Sequence, residues 1–497
     1  MDNQKLKIGR LEIIVFVAGT VVMILELIGS RLIAPFLGTS IFIWTALIGI
    51  ILGALSLGYY LGGRFSKTNP TFAFLAKILL LAGLAILLIT IIKEPVLIYS
   101  SRLGVKLGGV AATLALFALP SVLLGIVSPY ALRLKVQNIE GSGGVAGNLY
   151  ALSTIGSIFG TFLAGFYLIP AFGSSQILFG LSLVLVVTSM LSGKKLFKML
   201  TIFLVIVLSL VSQNLPKAYV FEADSSYNHI RVLDAVTKTT NDRLRILYLA
   251  TEAHTIVYRD SDELFSAYHQ LYLLDRLFKP KIEKALTLGG GGYVAPLDFL
   301  KRFPQALMTV VEIDPQVTQV ARDYFKLKDD PRLKIYHEDG RIFLNNNQEK
   351  YDVIYGDAFA SYFSVPFQLT TKEAVEKIYN SLVPDGILIL NVISSLAGEK
   401  SLFFQAEYKT LSQYFNQIYV FPAHDYSQDN INQHQNLILI ATKDKDRLTK
   451  QDLLNQATEE QKELIKHFWE PDIVIDPRIK VLTDELAPVD YYISKLL

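Results

Sequence analysis

The sequence contains no cysteine among its 497 residues, which excludes disulfide bonds, thiolate metal ligands and a cysteine nucleophile. It also has no low-complexity segment, and its formal net charge of +2 indicates no nucleic-acid partner. Three catalytic signatures are missing: a phosphate loop with Lys-Ser/Thr, a Ser-His-Asp elbow and His-Glu-x-x-His. Because the seven histidines are scattered along the chain, we expect no metal site.

Hydrophobic residues are abundant, at 51% of the chain with a mean hydropathy of +0.37, and the excess lies in the first 213 residues. Glycine and other small residues recur there at spacings of three to five, which predicts close packing between helices. The apolar runs are long enough to cross a bilayer, and we predict a seven-span transmembrane helical domain over 1–213, with spans at 11–33, 40–63, 72–92, 108–133, 146–170, 174–192 and 196–213.

Lysine and arginine in the short loops give an orientation, because positive charge concentrates on the cytoplasmic side. Ten of these residues fall on one side and three on the other, so we predict a cytoplasmic N-terminus in a multi-pass cell-membrane protein. Seven crossings then place the C-terminal half outside the cell.

The second half has the pattern of a different domain. Residues 217–260 alternate like antiparallel strands and predict a small β segment. Alternating strands and helices over 261–443 predict a doubly wound, Rossmann-like α/β domain. The tail 444–497 is expected to be mainly helical. The predicted α/β elements are strands 285–289, 307–312, 333–336, 352–356, 386–393, 417–422 and 436–442, with helices 294–303, 315–325, 370–382 and 401–414.

Glycine or acidic residues follow four successive strands of this domain, where an open parallel sheet binds its ligand. Glu312 ends a strand about 20 residues after the glycines, a spacing typical of a carboxylate that binds ribose hydroxyls. Asp357 is positioned to accept a proton from an amine or to hold that amine. Each residue also has a structural interpretation, as a tight turn, a loop carboxylate or a helix cap. The four sites are Gly289–Gly292, Glu312, Asp339 with Gly340, and Asp357.

These residues resemble those of spermidine synthases, the polyamine aminopropyltransferases, over roughly 220–395. Sequences in the N-terminal half, such as "LELIGSRLIAPFLGTS", resemble fused forms in which a carrier-like helical bundle precedes this domain, and "LTDELAPVDYY" resembles their C-terminal signature. The matching landmarks are Ser226-Tyr227-Asn228, Asp262-Glu263, Tyr268-His269-Gln270, Gly289–Gly291, Val311-Glu312-Ile313-Asp314, Asp339-Gly340 and Asp357.

The resemblance implies that decarboxylated S-adenosylmethionine donates an aminopropyl group to an amine such as putrescine. By the same resemblance Glu312 holds the donor's ribose, while Asp339, followed by Gly340, holds its adenine. Asp357 is the catalytic residue, and Gly289, Gly290 and Gly291 form the donor turn. The residues that line the acceptor and aminopropyl path are Tyr227, Tyr268 and His269.

The chain departs from the family pattern at three places. Gly292 stands where an acid grips the donor's ammonium, so ordinary S-adenosylmethionine stays a candidate donor beside the decarboxylated form. Asp357-Ala358-Phe359-Ala360 lacks a second acid, and Gln270 replaces a common glutamate. Tyr293 and Phe359 suggest a more apolar pocket.

Two other functions therefore stay open: an S-adenosylmethionine-dependent transferase of methyl or another group acting on a membrane-associated acceptor, and a non-catalytic carrier or sensor of polyamine or nucleoside. The expected partners are a small-molecule amine or a membrane-associated acceptor and the lipid bilayer, with a homodimer left open. Donor supply favours a cytoplasmic C-terminal domain whereas loop charge with seven spans favours an external one, so its side is undecided.

Overall fold

The computed structural model describes residues 9–136, 138, 141–191, 202, 205–206, 219–250, 252–358, 365–424 and 431–496. The chain divides into two compact units, with the division near residues 218–227.

The first unit is helical. Within its described residues, five helices are long and apolar enough to cross a membrane, judged by length and composition. The sixth, at 16 residues, is shorter than the roughly 20 residues of a typical crossing. Of the predicted seventh span, 196–213, only residues 202, 205 and 206 are described. The helices are α1 (Arg10–Leu37), α2 (Ile41–Phe65), α3 (Phe72–Ser101), α4 (Gly104–Lys135), α5 (Ser142–Leu163, continued by a π-turn Ala164–Leu168 and by Ile169–Ala171) and α6 (Ser174–Ser189).

Glycines bring some of these helices into close backbone contact, as the small-residue spacing predicts. A Cβ atom on Gly58 of α2 would lie 2.3 Å from the Val122 carbonyl oxygen of α4. One on Gly156 of α5 would lie 2.2 Å from the Phe16 carbonyl oxygen of α1. Such distances admit no side chain, so these crossings require glycine. Gly49 has open space around it and makes no such contact.

The second unit begins with a four-stranded antiparallel sheet in which neighbouring strands follow one another in the chain. The sequence predicts a β segment here, and the structure resolves it into β1 (Phe221–Asp224), β2 (His229–Val236), β3 (Arg243–Leu249) and β4 (Glu252–Tyr258). Two short helices follow, α7 (Ala267–Leu271) and α8 (Asp275–Phe278), joined by the 3₁₀ turn Tyr272–Leu274.

A seven-stranded sheet in the order β10-β11-β9-β8-β5-β6-β7 forms the centre of the unit. Strands β5 to β9 are parallel, whereas β10 and β11 are antiparallel additions at one edge. The strands are β5 (Lys284–Leu288), β6 (Leu307–Val311), β7 (Leu333–Tyr336), β8 (Tyr351–Gly356), β9 (Leu382–Ser394), β10 (Gln417–Pro422) and β11 (Gln435–Thr442).

Helices connect these strands, and the apolar side chains of the strands pack on both faces of the sheet in two clusters. The helices are α9 (Val294–Arg302), α10 (Pro315–Tyr324), α11 (Gly340–Asn346), α12 (Lys372–Ser381) and α13 (Leu402–Leu411), followed by α14 (Lys450–Gln456), α15 (Glu459–Ile465) and α16 (Val489–Ile493) in the tail. The prediction of an α/β domain is confirmed. The prediction of a mainly helical tail is wrong, because most of 466–488 is irregular.

The strand order fixes where a ligand can bind. From β5 the chain passes outward to β6 and β7, and then returns to β8 on the other side of β5. The connections after β5 and β8 therefore leave the sheet in opposite directions and open a crevice at the carboxyl ends of these two strands. Gly289 follows β5 and Asp357 follows β8, so both lie at this crevice.

Candidate active site

A cavity of about 300 Å³ lies at these strand ends, within the second unit. Its wall contains six of the predicted site residues: the three glycines of the turn, Asp357, Tyr268 and His269. The turn is close to Asp357, since a Cβ atom on Gly289 would lie 2.6 Å from the Asp357 carbonyl oxygen. Gly289 has a φ of +95°, a conformation that favours glycine. The remaining wall residues are Glu252, Ala253, His254, Thr255, Thr287, Val294, Ala295, Pro296, Asn391, Ile393, His424, His434, Gln435 and Asn436.

Asp357 is the carboxylate at the centre of this wall. Its Oδ1 accepts a hydrogen bond of 2.9 Å from Asn391 Nδ2, and its Oδ2 lies 3.9 Å from His269 Nε2. Burial raises the pKa of Asp357 to about 6, and the polar groups of Asn391 and Tyr272 oppose that rise. The carboxylate is therefore ionised at neutral pH but close to its titration range, as suits a group that takes up a proton.

His269 is held beside Asp357 by α7 and is 5% exposed. Burial lowers its pKa to about 3, so the imidazole is neutral and forms no ion pair with the carboxylate at neutral pH. The Tyr268 ring packs against it, with 4.0 Å between ring centroids. Within the described residues, His269 Nδ1 has no hydrogen-bond partner.

Glu312 lies at the end of β6, where it supports the glycine turn. Its Oε2 accepts hydrogen bonds from the Gly290 and Gly291 amides at 2.9 and 3.2 Å, while its Oε1 accepts from the Asp314 amide at 2.9 Å. Burial raises the pKa of Glu312, and these three amides act in the opposite direction. Glu312 is thus tied to the turn that a nucleoside would contact.

Asp339 and Gly340 lie at the end of β7, and neither is in the cavity wall described above. The Asp339 side chain caps α11, since Oδ1 accepts from the Arg341 and Ile342 amides at 2.8 and 3.1 Å. Its Oδ2 accepts a hydrogen bond of 3.3 Å from Gln368 Nε2. In this structure the Asp339 side chain is therefore the N-cap of α11.

The structure separates other predicted residues from the cavity. Tyr227 is 56% exposed and is absent from the cavity wall in the described part of the chain.

Tyr293 does not make the pocket apolar. Its backbone has a φ of +59°, and its ring lies in the core, where its hydroxyl is 2.7 Å from Thr318 Oγ1. Phe359, which supported the same expectation, lies outside the described residues.

Gly292, which replaces an expected acid, packs tightly against β4. Its amide donates a hydrogen bond of 3.0 Å to Thr255 Oγ1, and a Cβ atom on it would lie 2.5 Å from Thr255 Cγ2. This position therefore cannot carry a carboxylate without local rearrangement. Among the described wall residues only Glu252 and Asp357 are acidic.

Sequence reasoning missed several wall residues, above all the histidines. His254, His424 and His434 were not predicted, and they line the cavity together with the predicted His269, so four of the seven histidines that are scattered in the sequence lie close together in the structure. Burial lowers the pKa of His254 to about 4, so it is neutral. In the described ranges, no group of three or more His, Asp or Glu has an arrangement that could hold a metal ion.

Comparison with known proteins shows which families this part of the chain resembles. Residues 268–433 match the spermine/spermidine synthase domain. The polyamine aminopropyltransferase of Vibrio vulnificus is 30% identical over 172 residues, which cover 34% of this chain and 56% of that protein. The one from Streptococcus uberis is 37% identical over 151 residues, covering 29% and 52%. This chain thus spans about half the length of these relatives.

A longer alignment joins the chain to polyamine aminopropyltransferase 2 of Aquifex aeolicus, 25% identical over 409 residues, which cover 76% of this chain and 78% of that protein. Among solved structures, the spermidine synthase of Thermotoga maritima is 18% identical, with a TM-score of 0.39, and the match covers 56% of this chain and 87% of the other.

Proposed function

We propose that this chain, whose residues 268–433 form a spermine/spermidine synthase domain, is a membrane-bound aminopropyltransferase. It moves an aminopropyl group from decarboxylated S-adenosylmethionine to an amine such as putrescine. The observation that carries the proposal is the position of Asp357, a partly buried carboxylate facing a glycine turn across the switch point of a parallel sheet.

The residues of the crevice suit such a donor. The glycine turn lets a nucleoside approach the backbone closely, and Glu312 beneath it retains one unused acceptor site, on Oε1, for a ribose hydroxyl. Asp339, which follows β7, is assigned to the adenine by the family resemblance alone, since it lies outside the described cavity wall. A cavity of about 300 Å³ is at the lower end of the usual size of small-molecule sites.

The chemistry is a direct displacement. The acceptor nitrogen attacks the carbon next to the sulfonium, the carbon–sulfur bond breaks, and methylthioadenosine leaves with the electron pair. The attacking nitrogen loses a proton, which Asp357 Oδ2 accepts. Tyr268 and His269 orient the amine next to that oxygen. Positioning and proton transfer supply the rate enhancement.

The membrane attachment rests on α1 to α5, the five helices whose length and composition suit a bilayer. A lipid-facing anchor also suits an acceptor that is membrane-associated. The alignment with the Aquifex aeolicus relative covers 76% of the chain, more than the second unit alone, and so supports a fused arrangement.

A second candidate is a transferase that uses ordinary S-adenosylmethionine. Gly292 favours it, because the position beside Thr255 bears no carboxylate to repel the donor's carboxyl group. The two candidates differ in which donor the cavity prefers.

Calorimetry separates the candidates. Full-length protein purified in detergent is titrated with decarboxylated S-adenosylmethionine, S-adenosylmethionine and methylthioadenosine. We expect binding of methylthioadenosine and preference for the decarboxylated donor. Preference for S-adenosylmethionine would contradict aminopropyl transfer and favour the second candidate. Binding of none of the three would contradict both and favour a carrier or sensor.

A further inference from the structure

Three side chains on neighbouring strands form a hydrogen-bonded row that ends at Asp357. Asn436 Nδ2 of β11 donates to Asn391 Oδ1 of β9 at 2.9 Å, and Asn391 Nδ2 donates to Asp357 Oδ1 at 2.9 Å. Asn391 is opposite Ile438 in the sheet, so Asn436, two residues away, is a diagonal neighbour on the same face. Asn391 is 3% exposed, and water therefore has little access to replace either bond.

The row has a direction. An asparagine amide offers an acceptor oxygen on one side and a donor NH₂ on the other. Because Asn436 donates to the oxygen of Asn391, the NH₂ group must face Asp357. The reversed amide would place two oxygen atoms against each other at Asp357, an arrangement that only a protonated carboxyl could satisfy.

We propose that Asn436 is a positioning residue, which acts through Asn391 to keep Asp357 ionised and to direct its Oδ2 towards the reacting amine. This inference rests on the proposed function for its kinetic readout. Asn436 itself needs no contact with the reacting atoms, because its effect passes through the amide of Asn391.

Several titratable groups also face Asp357, besides the two asparagines of the row. Tyr268, His269 and Tyr272 approach it from the segment 267–274. The remaining titratable groups in the cavity wall are Glu252 and His254 on β4, and His424 and His434 near the edge strands. None of these is altered by substitution of Asn436.

The test is the pH profile of kcat/KM in the Asn436→Leu variant. Leucine has a similar size but no donor, so the Asn391 amide is free to reverse and the neutral form of Asp357 gains stability. In the wild type, we expect activity to fall as pH drops through about 6, the value to which burial raises the pKa of Asp357. We expect this acid limb to move upward in the variant, with roughly tenfold less activity below the wild-type midpoint and recovery at alkaline pH.

Two controls separate positioning from structural damage. Asn416→Leu changes an exposed amide on the same sheet, whose Nδ2 bonds to the Lys443 carbonyl, and should leave the acid limb in place. In an Asn391→Ala background, Asn436→Leu should cause no further displacement. The proposal would be overturned if Asn436→Leu lowers kcat/KM equally at every pH or leaves the acid limb in place. It would also be overturned if the substitution still displaces the limb in the Asn391→Ala background.

A spectroscopic readout keeps the inference separate from the proposed activity. The infrared carboxylic C=O band of Asp357, isolated by subtracting the spectrum of the matching Asp357→Asn protein, should titrate at higher pH in Asn436→Leu. If the band titrates at higher pH in Asn436→Leu but no transfer can be measured, the positioning role of Asn436 stands and the proposed function is rejected. If the titration is unchanged in a protein that has transfer activity, the positioning role of Asn436 is rejected and the proposed function stands.

Discussion

Replacing Asp357 with asparagine is expected to reduce turnover by about two to four orders of magnitude, the usual contribution of a positioned acid–base group. Asparagine keeps the shape of the side chain but accepts no proton and carries no charge for the attacking amine. Since the proposed ribose and adenine contacts involve other residues, affinity for methylthioadenosine should be unchanged. The measurement combines a transfer assay with nucleoside calorimetry on the same preparation.

The matched control for this variant is Asp385→Asn. Asp385 is an exposed carboxylate near the start of β9, with 70% of its side-chain surface accessible and an ion pair to Lys279. The Asp385→Asn protein should have wild-type turnover. Wild-type activity of Asp357→Asn would eliminate the mechanism as written, whereas loss of nucleoside binding as well would indicate that Asp357 shapes the cavity rather than the chemistry.

Replacing Glu312 with glutamine should weaken methylthioadenosine binding by roughly 10- to 100-fold, because hydrogen bonds to a charged group contribute about 1.5–3 kcal/mol. The effect has a local reason. Glutamine retains one acceptor oxygen, so its NH₂ group must face either the glycine amides or the Asp314 amide, which are themselves donors. The turn then loses an anchor as the ribose loses its partner.

Calorimetry measures this loss, and Glu283→Gln is its control. Glu283 is exposed and precedes β5, at the opposite end of that strand from the glycine turn. Thermal unfolding of both variants checks that the fold is retained. Unchanged nucleoside affinity in a folded Glu312→Gln protein would show that Glu312 serves the turn alone and would remove it from the donor site.

Much of the α/β domain is predictable from the sequence, because β5, β6 and β8 are largely buried apolar runs that are followed by glycine or an acid. The predicted strand 307–312 and the observed Leu307–Val311 differ by one residue. Helix α11 was not predicted, since "GRIFLNN" is short and contains poor helix formers. The sequence feature that indicates this helix is its N-cap residue, Asp339. The tail is less helical than predicted because Pro471, Pro477 and Pro488 interrupt it.

The site was harder to predict where its residues come from distant segments. Asp357 and the glycine turn follow from strand ends, a local pattern. Asn436 lies 79 positions from Asp357 in the sequence, and only the order of β8, β9 and β11 brings them into one row. Tyr293 is adjacent to the turn in sequence, yet its left-handed backbone removes the ring from the cavity. Backbone conformation at one residue was decisive there.

The central claim is tested most directly by transfer itself. Full-length protein is incubated with decarboxylated S-adenosylmethionine and putrescine, and mass spectrometry quantifies methylthioadenosine and the aminopropylated amine. The account predicts equal amounts of the two products, and neither above background with Asp357→Asn. Conversion of ordinary S-adenosylmethionine to S-adenosylhomocysteine, with no aminopropylated product from any amine supplied, would contradict it.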